Sequence, residues 1–220
     1  MSITFKTMTI ISFVILLLFT ILQYNLNISF EKSKDKNGFA DKNVIPICCA
    51  WGPGLQDGVL TYSINGQTGA GDQKSNTAVA KAVDSWNKNL NGIQFQKSPN
   101  GNADIFISFI NDGKKVAGKT VNSIDGSGLI RQSYVTLSKE YFNRPFSSAQ
   151  LEQVAEHELG HVLGLNHVKF SGNLMSTQVE KGSATISPCL VEAVDTANAW
   201  KVKEGGVSMH GPPQNYIVCK

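Results

Sequence analysis

The spacing of apolar residues predicts two elements near the middle of the chain. In residues 59–64, Leu60, Tyr62 and Ile64 alternate with polar Thr61 and Ser63, which predicts a strand with one buried face. Residues 76–90 have a helical repeat instead, and their apolar stripe is typical of a helix that packs against a core. The stripe consists of Val79, Ala82, Val83, Trp86 and Leu90.

Further strands are predicted on both sides of a glycine-rich stretch. Residues 93–96, 104–110 and 134–138 are short runs that contain apolar, β-branched and aromatic side chains. Residues 111–130, which are rich in Gly and Asp, are predicted to form a loop that contains an edge strand near residues 117–123.

Two later helices complete the predicted domain. Ser147 is expected to begin the first, because Gln150 three residues later completes the pattern of a capping box. Its apolar positions recur at helical spacing, and a final helix is predicted over residues 187–202. Helices that lie between and after strands predict an α+β fold, in which a mixed sheet has helices packed on it. The apolar positions of the first of these helices are Leu151, Ala155, Leu159 and Val162.

The N-terminus contains an apolar run at residues 8–22, so residues 1–26 are predicted to be a signal peptide or a membrane anchor. The run is short for a membrane span, yet no small-x-small cleavage site follows it. More lysines follow the run than precede it, which opposes export by the positive-inside rule. A soluble core helix is a third alternative. Residues 27–55 are predicted to be a linker or a short pro-segment.

Composition limits the class of protein. The chain has 220 residues, which leaves one domain with a substantial core after a leader is excluded. Its hydrophobic fraction of 41% is ordinary, and a net charge of +3 without a basic, aromatic-rich run gives no reason to expect a nucleic-acid partner. The cysteines at positions 48, 49, 189 and 219 lack zinc-finger spacing and suggest disulfides in an exported chain.

Three pairings of these cysteines are open. A bond between Cys189 and Cys219 would join the C-terminal tail to the last helix, and Cys48 could then bond to its neighbour Cys49. In the alternatives, both Cys48 and Cys49 are tied to the C-terminal region.

The strongest chemical signal is the sequence His-Glu-Leu-Gly-His-Val-Leu-Gly-Leu-Asn-His at residues 157–167. His157 and His161 are one helical turn apart, so both imidazoles can bind one zinc ion. Glu158 lies beside them, where it can take a proton from a zinc-bound water. Gly164 can end the helix in the left-handed conformation, and His167 can then return as a third ligand. Three protein ligands leave one position open, which is typical of a catalytic zinc site.

This H-E-x-x-H-x-x-G-x-x-H pattern resembles that of the metzincin metalloproteases, and of their matrixin-like branch in particular. Residues 171–176, which end in Met175-Ser176, resemble the Met-turn of that family, whose methionine forms an apolar floor beneath the metal. Residues 60–64 and 103–109 resemble its first and third strands, and the likeness covers residues 58–200. An amphipathic helix with incidental histidines is the structural alternative.

The resemblance implies a metzincin-type catalytic domain at residues 56–220, with a mostly parallel twisted sheet, an active-site helix, a Met-turn and a C-terminal helix. It implies a monomeric zinc endopeptidase in which Glu158 is the general base. Protein or peptide substrates would bind along the edge strand, and the specificity pocket would include residues around Leu163 and after Met175. The location implied is extracellular, either secreted or anchored by the N-terminal segment. The implied zinc ligands are His157, His161 and His167.

The sequence also departs from the family. No His lies between residues 1 and 156, so the second histidine cluster of vertebrate relatives is missing. Calcium binding is common in relatives, but turns explain the candidate carboxylates of Asp112, Asp125 and Glu140 better, and no calcium ligands are assigned. A thiolate of Cys48 or Cys49 that binds the zinc is an alternative means of latency. Two other functions are open: a non-catalytic zinc-binding envelope or adhesion module, and a zinc amidase that acts on cell-wall links.

Overall fold

A computed structural model describes residues 43–65, 70–111, 116–177 and 185–219, and these residues form an α+β domain. The predicted leader at residues 1–26 and the first part of residues 27–55 lie outside the described residues. Within the described ranges, no helix combines the length and the apolar character needed to cross a membrane.

The strands are β1 (Val44–Pro46), β2 (Ala50–Trp51), β3 (Val59–Asn65), β4 (Gln94–Lys97), β5 (Ile105–Ile110), β6 (Gly118–Ile124), β7 (Leu129–Ser138), β8 (Glu140–Tyr141), β9 (Arg144–Pro145) and β10 (Tyr216–Val218). The helices are α1 (Ala70–Asn89), α2 (Ser148–Val162), α3 (Pro188–Ala197) and α4 (Ala199–Val202), and Pro53–Leu55 forms a short 3-10 helix.

The central sheet confirms the predicted mostly parallel arrangement. Its strand order is β6-β7-β5-β3-β4, and β2 pairs with the first residues of β7. Each pairing in this sheet is parallel except that between β6 and β7, which is antiparallel. In the described part of the chain β6 pairs only with β7. Among the described residues, one long edge of β6 therefore has no strand partner, as expected for the predicted edge strand.

The two long helices pack against each other beside this sheet, and α2 also contacts β6 and β7. The predicted stripe of α1 faces this interface, since Val79, Ala82 and Trp86 have no exposed surface. The indole of Trp86 also donates to the carbonyl oxygen of Glu156 in α2 (2.9 Å). The apolar face of α2 is buried as predicted, and its members are Leu151, Val154, Ala155, Leu159 and Val162.

The assignment of residues 43–55 to a linker is wrong, because this segment is packed into the domain. Ile45, Trp51 and Leu55 are completely buried. Strand β1 pairs with β10, and residue Ile47 forms a bridge with Leu165. Strands of two or three residues contain too few apolar positions to show a period, which is why the sequence did not predict them. A role as pro-segment stays a prediction.

Other boundaries also differ from the predictions. Helix α1 begins before residue 76, and β7 begins at Leu129 inside the predicted loop. The predicted final helix at residues 187–202 is divided at Asn198 into α3 and α4. The described cysteines form two disulfides, Cys48 with Cys49 and Cys189 with Cys219, and none of the four is free. The second bond joins α3 to the chain just after β10.

Asn198, at the division between α3 and α4, connects three segments through its completely buried amide. Its Oδ1 accepts from the backbone N–H of Trp51 (2.9 Å), and its Nδ2 donates to the carbonyl oxygen of Leu163 (3.1 Å). The indole of Trp51 in turn donates to Val162 O (2.7 Å), so β2, the end of α2 and the α3–α4 corner are fixed together. Asn198 therefore fixes the point where α2 ends.

We expect Asn198→Ala to lower the free energy of unfolding, because Trp51 N–H and Leu163 C=O would remain buried without partners. Each such group costs about 1–3 kcal/mol. Urea unfolding followed by tryptophan fluorescence measures the loss. The matched control is Asn89→Ala, whose side chain makes an exposed hydrogen bond to Ser85 O and should change stability little. Equal losses in the two variants would contradict the assigned role of Asn198.

Candidate metal centre and active site

The helix that carries the metal-binding motif starts and ends at defined signals. Gln150 N–H donates to Ser147 Oγ (3.2 Å) and Ser147 N–H donates to Gln150 Oε1 (2.9 Å), which confirms the predicted capping box. After Leu163 the chain reverses at Gly164, whose φ of 98° is in the left-handed region. A Cβ at this position would overlap the carbonyl oxygen of Cys49, so only glycine fits.

The structure brings together the three histidines of the motif. The Nε2 atoms of His157 and His161 are 3.1 Å apart, and each lies 3.2 Å from Nε2 of His167. The Nδ1 atom of His157 lies 2.6 Å from Leu174 O, and that of His161 lies 2.8 Å from Leu165 O. These carbonyl oxygens require N–H donors at Nδ1, which leaves a lone pair on each Nε2.

The spacing of the three nitrogens fits a tetrahedral zinc ion. Zinc–nitrogen bonds of about 2.0–2.1 Å place two ligand nitrogens about 3.3 Å apart. The observed separations of 3.1–3.2 Å are close to this value. Lone pairs that face one another repel unless a cation lies between them, so the donor set itself points to a metal ion. No other cluster of His, Cys, Asp and Glu in the described ranges has this geometry.

The environment keeps these imidazoles in the neutral form that binds metals. Burial lowers the pKa of His157 and His167 below the usual value. Burial, with a further contribution from His157, lowers the pKa of His161 to about 4. The hydrogen bonds to Leu174 O and Leu165 O oppose these shifts only in part. Neutral imidazoles at physiological pH need lose no proton before they bind a metal.

Glu158 lies beside this cluster and is almost completely buried, with 4% of its surface exposed. Its Oε2 accepts a hydrogen bond from the hydroxyl of Thr120 on β6 (2.6 Å). Burial raises the pKa of Glu158 to about 7, although the Thr120 bond acts in the opposite direction. A carboxylate whose pKa is near neutral can accept a proton in one step and release it in the next.

The predicted Met-turn lies against the helix that carries two of the histidines. Met175 is completely buried, and its backbone N–H donates to Asn173 Oδ1 (2.9 Å). The preceding residue, Leu174, supplies the carbonyl oxygen that holds the His157 ring. A Cβ at Gly160 of α2 would overlap the sulfur of Met175, so the turn can approach the helix only because residue 160 has no side chain.

The candidate calcium carboxylates have other partners. Asp125 Oδ1 accepts from the backbone N–H groups of Ser127 (2.8 Å) and Leu129 (3.1 Å), and its Oδ2 faces Arg131. The carboxylate of Glu140 lies within hydrogen-bond distance of the Asn111 amide. Asp112 lies outside the described residues. The described carboxylates thus stabilise turns and a loop, and no calcium site is shown.

Two grooves reach both Glu158 and His167. The first has a volume of about 250 Å³, and its lining includes apolar side chains and the residues at the end of the Met-turn. The second lies next to Cys48 and contains more polar side chains. Leu163 itself is completely buried and lines neither groove, but its neighbours Leu165 and Asn166 line the second. Besides His157, His167 and Glu158, the first groove is lined by Val116, Ala117, Gly118, Val154, Ser176 and Thr177.

Four site residues were not found from the sequence: Gly118, Thr120, Asn122 and Asn173. The first three alternate along β6 and face α2, where Asn122 Nδ2 donates to His161 O (2.9 Å). Small and polar residues at every second position of an edge strand were the only available signal, and turns produce the same composition.

A helix with two histidines one turn apart, a third histidine after a glycine turn and a buried methionine turn together define a metallopeptidase of the metzincin class. The family described as Matrixin, Peptidase_M10, matches residues 51–195. The chain therefore belongs to the matrixin family of metalloendopeptidases.

Two relatives are interstitial collagenases. The protein of Sus scrofa is 31% identical over 125 residues, which cover 53% of this chain and 26% of that protein. The protein of Oryctolagus cuniculus is 29% identical over 167 residues, which cover 71% of this chain and 32% of that protein. The chain thus spans between a quarter and a third of the length of these relatives.

We expect the purified protein to hold about one zinc per chain, because three imidazoles converge at the spacing that zinc requires. His161→Ala should lose this zinc, which elemental analysis after gel filtration measures. His210→Ala is the matched control, because His210 contacts Glu204 away from the cluster. Retention of stoichiometric zinc in His161→Ala would show that His161 is not a ligand.

Gly160→Ala should destabilise the domain, because the new methyl group would overlap Met175. Added core atoms of this kind cost about 1–3 kcal/mol. The midpoint of thermal unfolding measures the effect at saturating zinc. Gly126→Ala is the control, because nothing lies within 4 Å of a Cβ at that turn position. An unchanged midpoint in Gly160→Ala would contradict the close approach of the Met-turn to α2.

Proposed function

We propose that this protein is a zinc-dependent endopeptidase that cleaves extended segments of protein or peptide substrates. The observation that carries the proposal is the convergence of the three Nε2 atoms within 3.2 Å of one another, next to a buried carboxylate. A purely structural metal site has no need of such a carboxylate. The proposed ligands are His157, His161 and His167, with Met175 as the floor of the site.

Bound zinc would supply a Lewis acid that lowers the pKa of a water molecule and polarises the substrate carbonyl. Glu158 would take a proton from the attacking water and later deliver it to the nitrogen of the departing amine. The neutral histidines keep the donor set intact, and α2 fixes two of them one turn apart. The protein residues thus supply ligand geometry and one movable proton.

The proposal of a peptide substrate is supported by the edge of β6 that has no strand partner among the described residues. An extended chain can pair with an unpaired strand edge through backbone hydrogen bonds, whatever its side chains are. Strand β6 borders both grooves, since Gly118 lines each of them. A peptide that pairs along β6 would therefore pass Glu158 and the histidines.

The first groove supports a preference for an aliphatic substrate side chain. Its walls include Val116, Ala117 and Val154, and it has room for about 250 Å³. Burial of apolar side chains in such a groove is favourable without specific polar contacts. The two relatives are named for collagen, but the matched part covers at most 32% of their length, so we propose only an extended polypeptide for this chain.

An extracellular location is part of the proposal. The two disulfides are typical of oxidising compartments. We retain both alternatives for residues 1–26, a cleaved signal peptide and a membrane anchor, and we propose a monomer. Of the other functions, the non-catalytic zinc module is disfavoured by the position of Glu158, and the cell-wall amidase is distinguished by the substrate in the assay below.

We expect Glu158→Gln to retain zinc and fold while it loses activity on casein. General-base catalysis contributes about a hundred- to ten-thousand-fold, and the loss should appear in kcat more than in KM. Glu156→Gln on the same helix is the matched control and should remain active. A chelator should also abolish the activity of the wild type.

Two outcomes would contradict the proposal. If Glu158→Gln cleaved casein at the wild-type rate, Glu158 would have no part in the mechanism. A wild-type protein that holds zinc, ignores casein and peptides and yet releases amines from peptidoglycan would favour the amidase.

A further inference from the structure

We propose that Thr120 is a positioning residue that holds the carboxylate of Glu158 in its reactive orientation. The inference rests on the proposed function, because it assigns a role within the same site. Its basis is the hydroxyl of Thr120, which lies 2.6 Å from Glu158 Oε2 and 3.2 Å from Glu158 O. A hydroxyl has one proton to donate, and the shorter contact identifies the carboxylate as its acceptor.

Three successive positions on the inner face of β6, at Gly118, Thr120 and Asn122, lie against the active-site helix α2. At Gly118, an added Cβ would lie 2.5 Å from Glu158 Oε1, so glycine keeps the space next to that oxygen. Thr120 engages the other carboxylate oxygen. Asn122 donates to His161 O (2.9 Å) and accepts from Ser133 Oγ (2.7 Å), which fixes the strand one turn further along α2. The contacts therefore fix the position of Thr120 relative to α2.

This arrangement gives the two carboxylate oxygens of Glu158 different surroundings. Oε2 is engaged by Thr120, whereas no residue in the described ranges donates a hydrogen bond to Oε1. Both grooves reach Glu158, so the free oxygen is the one available to a water molecule. Thr120 thereby selects which oxygen acts on the substrate side and which remains an acceptor for the protein.

A positioning residue can raise the rate because a glutamate side chain is flexible. Three rotatable bonds separate its backbone from the carboxylate, and productive proton transfer requires one orientation. The side chain of Thr120 is β-branched and therefore stiff, and its backbone is held in the β6–β7 ladder opposite Val135. A rigid donor thus limits the rotation of a flexible acceptor.

The test is Thr120→Val, which removes the hydroxyl and preserves the shape of the side chain. We expect kcat on a fluorogenic peptide to fall about 10- to 100-fold, as for the loss of a hydrogen bond to a charged group. The KM and the zinc content should stay close to those of the wild type. Thr120→Ser should restore most of kcat, because it restores the donor. Thr136→Val on the outer side of β7 is the matched control and should leave kcat unchanged.

A double-mutant cycle separates positioning from a general effect on the fold. In the Glu158→Gln background, Thr120→Val should cause no further loss, because the carboxylate that it positions is gone. If Thr120→Val folds poorly, Thr120→Ser can be compared with Thr120→Ala. These two variants differ by one hydroxyl, so their kcat values also show the effect of the hydrogen bond to Glu158.

Three results would overturn the inference: wild-type kcat in Thr120→Val, equal kcat in the serine and alanine variants, or an undiminished effect of Thr120→Val in the Glu158→Gln background. A fully active Glu158→Gln single variant would instead remove Glu158 from the mechanism of the proposed function, whatever the Thr120 variants do. The failure of one proposal is therefore distinguishable from the failure of the other.

Discussion

The convergence of three imidazole nitrogens is the constraint on which the rest of this domain depends. Two of the histidines belong to one rigid helix, and the third comes from a segment that reverses direction at Gly164. Mutual distances of 3.1–3.2 Å leave little tolerance, so the helix, the reversal and the Met-turn must all be fixed with respect to one another. The glycines at 160 and 164 satisfy this requirement because side chains there would overlap Met175 and Cys49.

The sequence predicted the parts of the site that depend on local spacing. The capping box at Ser147, the two histidines one turn apart and the glycine reversal are all set by residues close to one another in the chain. Thr120 could not be found in this way, because its role depends on the register of β6 against β7 and on the approach of α2. Tertiary contacts of this kind leave no periodic signal.

The same distinction explains the fold predictions. Residues 59–64 and 76–90 were identified because their apolar side chains repeat over enough positions to define a period. The strands at Val44–Pro46 and Tyr216–Val218 are too short for this, and they pair with each other across almost the whole length of the domain's sequence. The division of the last helix at Asn198 depends on the Trp51 backbone, which is distant in sequence.

The pairing of residues 46–48 with residues 164–166 has a consequence for how the active enzyme is assembled. Cys48 N–H donates to Gly164 O (2.9 Å) and Asn166 N–H donates to Pro46 O (2.9 Å), immediately before His167. The adjoining strand β1 is itself completed by β10. Contacts between such distant segments form late, because a long loop must close first. The position of His167 is thus a property of the assembled domain and not of the local motif alone.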